Sequence, residues 1–296
     1  MEKYDLCSGP IYAYELKKII PMLLMFFLIS FNYSVLRGMK DTLVVNAVGS
    51  PGATIIPFLK GFLVIPLAFL FVMLYSKASN VLSKKQLFYA TLIPFIIYFA
   101  FFALVLYPSR DVIHFPDLVI TGWEGFDAIF RIWSFSLFYA IAELWGSVVM
   151  ALMFWGFAND TTMVEESKRF YALFGLGANF ALEFAGRASS YFNNPDNLTI
   201  AAGVDPYQVT INSLISFFVV FAIFIMFLYW WMNKYVLTDP RFFDPTKVKK
   251  KKAKKKMGMG DSFKFLLQSK YLMYIAVLVL AYGVAMNLIE VSWKEQ

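Results

Sequence analysis

The residues that could do chemistry in this chain are ionisable side chains inside long apolar runs. Six stand out, namely Lys60, Arg131, Glu143, Glu183, Arg187 and Glu290. Each charge costs about 2.5–3.5 kcal/mol at the centre of a membrane helix. Facing lipid, the set would cost roughly 15–20 kcal/mol, whereas a typical domain has a total stability of about 5–15 kcal/mol. These side chains must therefore pair or line a wet cavity, and an intramembrane charge indicates function by default.

Structural explanations compete with function at some of these positions. Glu183 and Arg187 are spaced i,i+4, so they can neutralise one another on one helix face. Arg131 lies one turn inside its run, where a long side chain can reach the interface. A structural explanation fits Glu143 and Glu290 less well, because a short acidic side chain reaches the interface poorly. We favour a functional role for these two glutamates.

The stretch LRGMKDTLVV, residues 36–45, places Arg37, Lys40 and Asp41 on successive turns of a helix end. One interpretation is a helix end anchored at the membrane interface, and the functional interpretation is a basic mouth for an anion. A mostly basic set could surround a polyanion inside a helix bundle: Arg37, Lys40, Lys60, Arg131 and Arg187. Nucleotide phosphates suit such a set, since arginine pairs bidentately with phosphate and lysine acts as a point charge.

Composition places these residues in a membrane protein. Of 296 residues, 59% are hydrophobic and 16% charged, with 33 Phe, 17 Tyr and 7 Trp. A soluble domain has about 45–50% apolar and about 25% charged residues, so this chain has too little polar surface to cover a water-facing globule. The formal charge of +7 is local, because removing the eight lysines of Lys247–Lys256 leaves −1. Nothing here indicates a nucleic acid partner.

Several chemistries are missing from the sequence. The single cysteine, Cys7, and the single histidine, His114, exclude an internal disulfide framework and a Cys/His metal cluster. The chain has no P-loop lysine signature, Gly-rich dinucleotide turn, HExxH pair or GxSxG elbow. We therefore expect binding without catalysis, neither an enzyme nor a cofactor protein.

Seven apolar runs are long enough to span a bilayer, which takes about 20 residues. They are Ile19–Leu36, Thr54–Tyr75, Leu87–Tyr107, Ile129–Phe157, Phe170–Tyr191, Thr210–Met232 and Tyr271–Trp293. Lysine and arginine concentrate before the first run and in every even-numbered connection, whereas the alternate connections are poor in them. By the positive-inside rule, the N-terminus is cytoplasmic.

Six spans, a long basic connection and a seventh span match the first half of a six-plus-six transporter. We expect an all-α integral membrane protein with a major-facilitator-like N-terminal bundle and the seventh helix of a truncated 12-helix transporter. The expected parts are a cytoplasmic tail (1–18), a six-helix bundle (19–233), a basic cytoplasmic linker (234–270) and the seventh helix (271–296). The missing C-terminal half is then a partner.

The Lys247–Lys256 tract has two interpretations. It can bind anionic lipid or a regulatory partner, or it can be a solvated linker that enforces cytoplasmic placement. We favour the linker.

Four motifs carry a resemblance to a known family. They are LRGMKDTLVV, AELWGSVVMALMFWGFAND (residues 142–160), FGLGANFALEFAGR (residues 174–187) and the terminal YGVAMNLIEVSWKEQ. In this order they resemble the ATP/ADP antiporters of plastids and obligate intracellular bacteria. The resemblance covers nearly the whole chain from Lys17 onward.

The resemblance implies exchange of external ATP for internal ADP, often with phosphate. It implies essential roles for Lys40, Glu143 and Glu290, and a role for Asn179 in phosphate recognition. A further essential lysine of the family would lie in a second half that this chain lacks. The resemblance also favours a bacterial inner membrane, with the plastid inner envelope as the alternative.

In the mechanism that we expect, basic groups around Lys40 hold the phosphates, and Tyr139 or Phe174 stacks on adenine. Glu143 and Glu290 pair with basic residues in the empty site and release them when phosphates arrive. Two alternatives stay open. One is proton-coupled net nucleotide uptake with Glu143 or Glu290 as the proton carrier. The other is a non-transporting membrane scaffold.

Overall fold

The computed structural model describes residues 15–198, 200, 203–239, 242 and 268–294. Within this part the chain is helical and contains no β-strand. The helices, in chain order, are α1 (Leu16–Val45), α2 (Gly52–Val81), α3 (Lys84–Leu106), α4 (Arg110–Ile113), α5 (Glu124–Arg131), α6 (Trp133–Thr161), α7 (Val164–Asn193), α8 (Pro206–Val236) and α9 (Lys270–Lys294).

Five helices of the described part are long and apolar enough to cross a membrane, namely α1, α2, α3, α6 and α8. They coincide with five of the seven runs in the sequence. The predicted fifth span lies in α7, which has 30 residues but also carries Glu166, Arg169, Glu183 and Arg187. The seventh lies in α9. The all-α membrane class is thus confirmed, and the major-facilitator arrangement and the truncation stay predictions.

Local sequence signals fix several helix ends. The Ser83 hydroxyl accepts the Gln86 N–H (3.3 Å), and the Gln86 side chain accepts the Ser83 N–H (3.0 Å), so a capping box starts α3. The Asp205 carboxylate accepts the Tyr207 N–H at 2.9 Å, with a proline in the first position of α8. The turn between α1 and α2 contains Gly49 at φ 83°, a conformation that favours glycine.

Helix α1 is the centre of the bundle and packs against α6, α7 and α8. Aromatic rings join α3, α6 and α8 behind it. The Phe218 ring lies 4.8 Å from Phe99 and 4.7 Å from Trp145. Polar ties cross the same core, because the buried Asn32 amide donates to the Phe218 carbonyl at 3.1 Å. This packing holds α1 and α6 side by side.

In the described residues, four of the membrane-length helices contain π-helical segments: Leu59–Val64, Phe102–Leu106, Trp145–Phe154 and Met232–Val236. Wider turns of this kind are rare and often lie at functional sites, since they re-aim side chains on an otherwise regular helix. One contains Lys60, and another begins two residues after Glu143.

The chain divides into two compact units, residues 1–248 and residues 249–296. The six predicted spans of the bundle lie in the first unit, and α9 is the described helix of the second. The predicted linker, residues 234–270, falls across the division, and the tract Lys247–Lys256 lies outside the described residues.

Candidate functional site

Lys40 is the most deeply buried of the predicted phosphate ligands, with 2% of its surface exposed. Its Nζ lies 2.9 Å from Asp41 Oδ1 and 3.1 Å from Glu143 Oε1. The same nitrogen stands 4.0 Å from the centroid of the buried Tyr139 ring. The ammonium group therefore has two carboxylates and one aromatic face as its neighbours.

Helix spacing explains how these groups meet. Tyr139 and Glu143 are one turn apart on α6, so both face the same strip of α1. Gly146 lies three residues further along and lets the two helices approach, because a Cβ there would be 2.6 Å from the Tyr33 ring of α1. We call Lys40, Asp41, Tyr139 and Glu143 the Lys40 cluster.

In the Lys40 cluster, two carboxylates contact one ammonium group. A buried ammonium needs such partners, because an uncompensated charge in the interior costs several kcal/mol. Both carboxylates are partly exposed, Asp41 by 17% and Glu143 by 24% of the side chain. The two carboxylates are thus less enclosed than the ammonium group that they contact.

Arg37 and Lys60 are two further members of the predicted basic set. Arg37 is exposed on α1, one turn before Lys40, and Lys60 is partly exposed in the π segment of α2. Both make interactions within the bundle. Helix α2 packs on α6, so Lys60 stands on a neighbour of the helix that carries Glu143.

The predicted position of Arg131 inside the fourth span is wrong. The helix breaks at Ile132, so Arg131 ends the short helix α5 and α6 begins after it. Its Nε donates to the Leu118 carbonyl at 2.7 Å, and one terminal nitrogen lies 3.5 Å from the Gly49 carbonyl. Arg131 thus contacts two connecting loops and lies outside the membrane-length helix α6.

Helix α7 carries the remaining predicted groups of the bundle. Arg187 Nε lies 2.7 Å from Glu183 Oε1, with 76% and 61% of the two side chains exposed. The i,i+4 pair forms as the spacing allows. Asn179 is also exposed, and its amide donates to the Gly175 carbonyl at 3.1 Å. These three residues share one open face of α7, apart from the buried Lys40 cluster.

The predicted site residue Glu290 stands in α9, and its side chain lies outside the described residues.

Two polar clusters of the bundle escaped the sequence argument. The first joins the starts of α1 and α7. Lys18 Nζ contacts Glu166 Oε2 at 2.7 Å, and the Arg169 guanidinium binds the Glu15 carboxylate at 2.7 and 3.0 Å. The sequence does contain a pattern that could have indicated this cluster. An acidic residue precedes a basic one by three positions at the start of each helix, with Glu15 and Lys18 for α1 and Glu166 and Arg169 for α7.

The second missed cluster surrounds a cavity of about 360 Å³ at the opposite end of the bundle. Arg110 contacts Asp205 at 2.9 Å, and the Tyr107 hydroxyl lies 3.0 Å from the same carboxylate. His114 Nε2 is 2.7 Å from the Ser134 hydroxyl. Burial lowers the pKa of His114 below its ordinary value of 6.5, against the opposing effect of Asp111. His114 therefore favours its neutral form.

Comparison with known proteins gives consistent results. The family model described as TLC ATP/ADP transporter matches residues 2–296. The chain is 52% identical over 294 residues to "ADP,ATP carrier protein 1" of Chlamydia muridarum, covering 97% of this chain and 55% of that protein. It is 51% identical over 289 residues to "ADP,ATP carrier protein 2, chloroplastic" of Arabidopsis thaliana, covering 95% of this chain and 45% of that protein.

A third relative is "ADP,ATP carrier protein 1" of Rickettsia conorii, which is 42% identical over 294 residues, or 97% of this chain and 57% of that protein. The chain thus spans about half the length of the curated relatives it matches. No solved structure matches it.

Proposed function

The chain belongs to the TLC ATP/ADP transporter family, and on that basis we propose that it takes part in exchanging ATP for ADP across a membrane. The family is one of transporters and not of enzymes. The observation that carries the proposal is the Lys40 cluster, an ammonium group buried in a membrane bundle and held by partly exposed carboxylates.

In the proposed mechanism, Lys40 changes partner. In the empty site its ammonium group is shared between Asp41 and Glu143. An arriving phosphate oxygen competes for the same protons as a charge-assisted acceptor, and Glu143 turns to water. Tyr139 stays below Lys40 and keeps the ammonium in place through its ring face. The exchange of partners links nucleotide binding to the contact between α1 and α6.

The open face of α7 supplies the second part of the proposed site. Asn179 offers an amide to a phosphate or to the sugar, and Arg187 can leave Glu183 for a phosphate at low cost because the pair is exposed. Arg37 and Lys60 add positive charge on α1 and α2. Free phosphate is a further substrate of the proposed site.

A second bundle is needed for alternating access. We propose that Glu290 and further basic groups complete the site in a six-plus-six arrangement, with the two bundles rocking around the bound nucleotide. The N-terminus is cytoplasmic in this proposal, in a bacterial inner membrane or, as the alternative, in the plastid inner envelope. Exchanging ATP⁴⁻ for ADP³⁻ would move one net charge, worth about 2.3 kcal/mol per 100 mV.

The test is nucleotide exchange in proteoliposomes that contain the chain together with the remaining part of the Chlamydia muridarum relative. Uptake of labelled ATP is expected to require ADP inside the vesicles. Uptake that ignores internal nucleotide would reject exchange, and uptake into empty vesicles driven by external acid would favour proton coupling instead. Lys40→Gln should abolish uptake, whereas Lys84→Gln, at an exposed lysine paired with Asp160, should not.

A further inference from the structure

A basic cavity of about 350 Å³ lies between the start of α3 and the end of α8, away from the Lys40 cluster. Its lining combines two lysines, three aromatic rings, an amide and a hydroxyl: Lys85, Tyr89, Tyr229, Trp230, Asn233, Lys234 and Thr238. It stands at the end of the bundle where α3 begins, so under the proposed orientation it opens at the cytoplasmic surface.

Contacts between α3 and α8 form one side of this cavity. The Tyr229 ring stacks on the Phe88 ring with centroids 3.7 Å apart and planes 3° apart. The Tyr229 hydroxyl lies 3.5 Å from the Lys84 carbonyl, and the Tyr89 hydroxyl lies 3.4 Å from the Met226 carbonyl. These contacts join α3 to α8, so the cavity is a built feature of the bundle.

A π-helical segment shapes the upper wall. Helix α8 widens over Met232–Val236, which contains Asn233 and Lys234. The Asn233 amide donates to the Tyr229 carbonyl at 2.9 Å. Lys234 Nζ lies 4.9 Å from the centroid of the Trp230 ring, which supports the ammonium group at the cavity. Wider turns of this kind often accompany functional sites.

Among the described residues, neither lysine of the cavity takes part in an ion pair. In the described part of the chain, no carboxylate lies within 4.0 Å of the amino group of Lys85 or Lys234. Lys84, the immediate neighbour, contacts Asp160 at 2.6 Å and is thereby neutralised. The cavity thus presents two positive charges beside aromatic rings.

From the cavity towards the middle of α3 and α8, the exposed surface is apolar. Below Tyr89, the exposed Ile93 and Ile97 continue along the same face of α3 at intervals of four residues. Below Trp230, the exposed Phe227 and Ile223 continue along α8 at intervals of three and then four residues. A basic cavity that opens onto an apolar stripe fits a molecule with an anionic head and hydrocarbon tails.

We propose that this cavity binds the phosphate headgroup of an anionic phospholipid, with the acyl chains along the stripe of α3 and α8. Basic cavities between membrane helices are suited to such headgroups. The exposed Trp230 and Tyr235 place the site at headgroup level, where amphipathic aromatic rings concentrate. A free phosphate or nucleotide would use the lysines but would leave the apolar stripe without a role.

The test measures phosphatidylglycerol binding to the purified chain in detergent, by native mass spectrometry and by thermal unfolding. The variant is Lys85→Gln with Lys234→Gln. The matched control is Lys77→Gln with Lys168→Gln, which removes two exposed lysines outside the cavity and changes the net charge equally. We expect the cavity variant to bind phosphatidylglycerol roughly 30-fold more weakly, or about 2 kcal/mol at 1.4 kcal/mol per tenfold, and the control to bind normally.

Further arms separate the sources of phosphate. Phosphatidylcholine should not stabilise the protein, and inorganic phosphate or ATP should give no stabilisation that depends on Lys85 and Lys234. Replacing both lysines by arginine should retain binding. Equal loss in the two double variants, equal stabilisation by phosphatidylcholine, or stabilisation by free phosphate through these lysines would each overturn the proposal. None of these outcomes bears on ATP/ADP exchange.

Discussion

At the scale of single residues, the Lys40 cluster links stability to function through one buried ammonium group. Lys40 contacts two carboxylates that are partly exposed, while its own side chain is buried. A buried charge that loses a partner destabilises the protein, whereas replacing both members of a buried ion pair by uncharged residues is often tolerated. The effects on nucleotide binding and on stability can be separated. Binding needs the positive charge of Lys40, whereas folding needs only that no buried charge is left without a partner.

We expect Glu143→Gln to lower the free energy of unfolding by about 1–3 kcal/mol, because Lys40 then keeps one carboxylate fewer. Adding Lys40→Met should restore much of that stability, since no buried ammonium is left to be paired. Nucleotide exchange should be lost in both proteins. Thermal unfolding and proteoliposome uptake, measured on the same preparations, check the two effects.

The matched control for this pair is Asp160→Asn, which removes the partner of the exposed Lys84. Its effect should stay within about 1 kcal/mol, as for surface ion pairs in general. A double variant at Lys40 and Glu143 that is less stable than Glu143→Gln alone would contradict the compensation argument.

His114 gives a residue-scale prediction in pH. Burial lowers its pKa in the folded protein below the value of 6.5 that it has in the unfolded chain. The folded state therefore disfavours protonation, so this stability is fully present above pH 6.5 and is lost as the pH falls through the lower, folded pKa. Thermal unfolding from pH 8 to pH 5 should show a decline that is smaller in His114→Gln. An identical decline in the two proteins would assign the effect to other groups.

Sequence alone could single out Lys40 and Glu143 because burial of charge in lipid is expensive wherever it occurs. It could not pair them, since the pairing depends on which faces of α1 and α6 meet. Tyr139 illustrates the same limit. Its ring was expected to stack on adenine, a role that stays a prediction, and the structure places it under Lys40.

At the scale of helices, the contact between α1 and α6 depends on a missing side chain. Gly146 follows Glu143 by three residues, and a Cβ at this position would be 2.6 Å from the Tyr33 ring. Gly156, on the same helix, has open space around it. The two glycines therefore form a matched pair, one at the interface and one away from it.

Gly146→Ala should destabilise the protein by about 1–3 kcal/mol, since an added methyl group must push α1 away from α6. Gly156→Ala should be neutral or stabilising by up to about 1 kcal/mol, because alanine favours the helix. Thermal unfolding of both variants checks the difference. Tyr33→Leu in the Gly146→Ala background should recover part of the loss, and a failure to recover would mean that the ring is not the obstacle.

Helix boundaries show where sequence patterns stop being informative. The run Ile129–Phe157 is continuously apolar apart from its charges, so hydropathy merges α5 with α6 and places Arg131 in the membrane. Backbone geometry separates them, with Ile132 at φ −114° and ψ 42° between the two helices. The carbonyl groups that hold Arg131 come from loops distant in sequence, and no local pattern could have indicated them.

At the scale of the whole molecule, sequence predicted the membrane class well because bilayer thickness alone sets the length of a span. The packing of the spans against one another was harder to predict than their number and length. Their order around α1 depends on ring contacts such as Phe99 with Phe218, which many apolar sequences could form in other combinations.

The open face of α7 carries the last prediction. Asn179, Glu183 and Arg187 are exposed there on a helix that runs through the membrane bundle. Exposed charges are costly in lipid, so this face should meet water or protein. The exposed Ile97 of α3, by contrast, lies on the stripe assigned to acyl chains. Cysteine labelling can compare the two positions, because the chain has a single native cysteine, Cys7, to be replaced by serine.

In membranes that contain the chain with the remaining part of the Chlamydia muridarum relative, a cysteine in place of Asn179 should react with a membrane-impermeant maleimide. A cysteine in place of Ile97 should react at least roughly tenfold more slowly, because the reactive thiolate does not form in hydrocarbon. ATP should slow the labelling at position 179 and leave position 97 unchanged. Equal, slow labelling at both positions would mean that this face of α7 meets lipid. The open face of α7 could then not form part of the proposed nucleotide site.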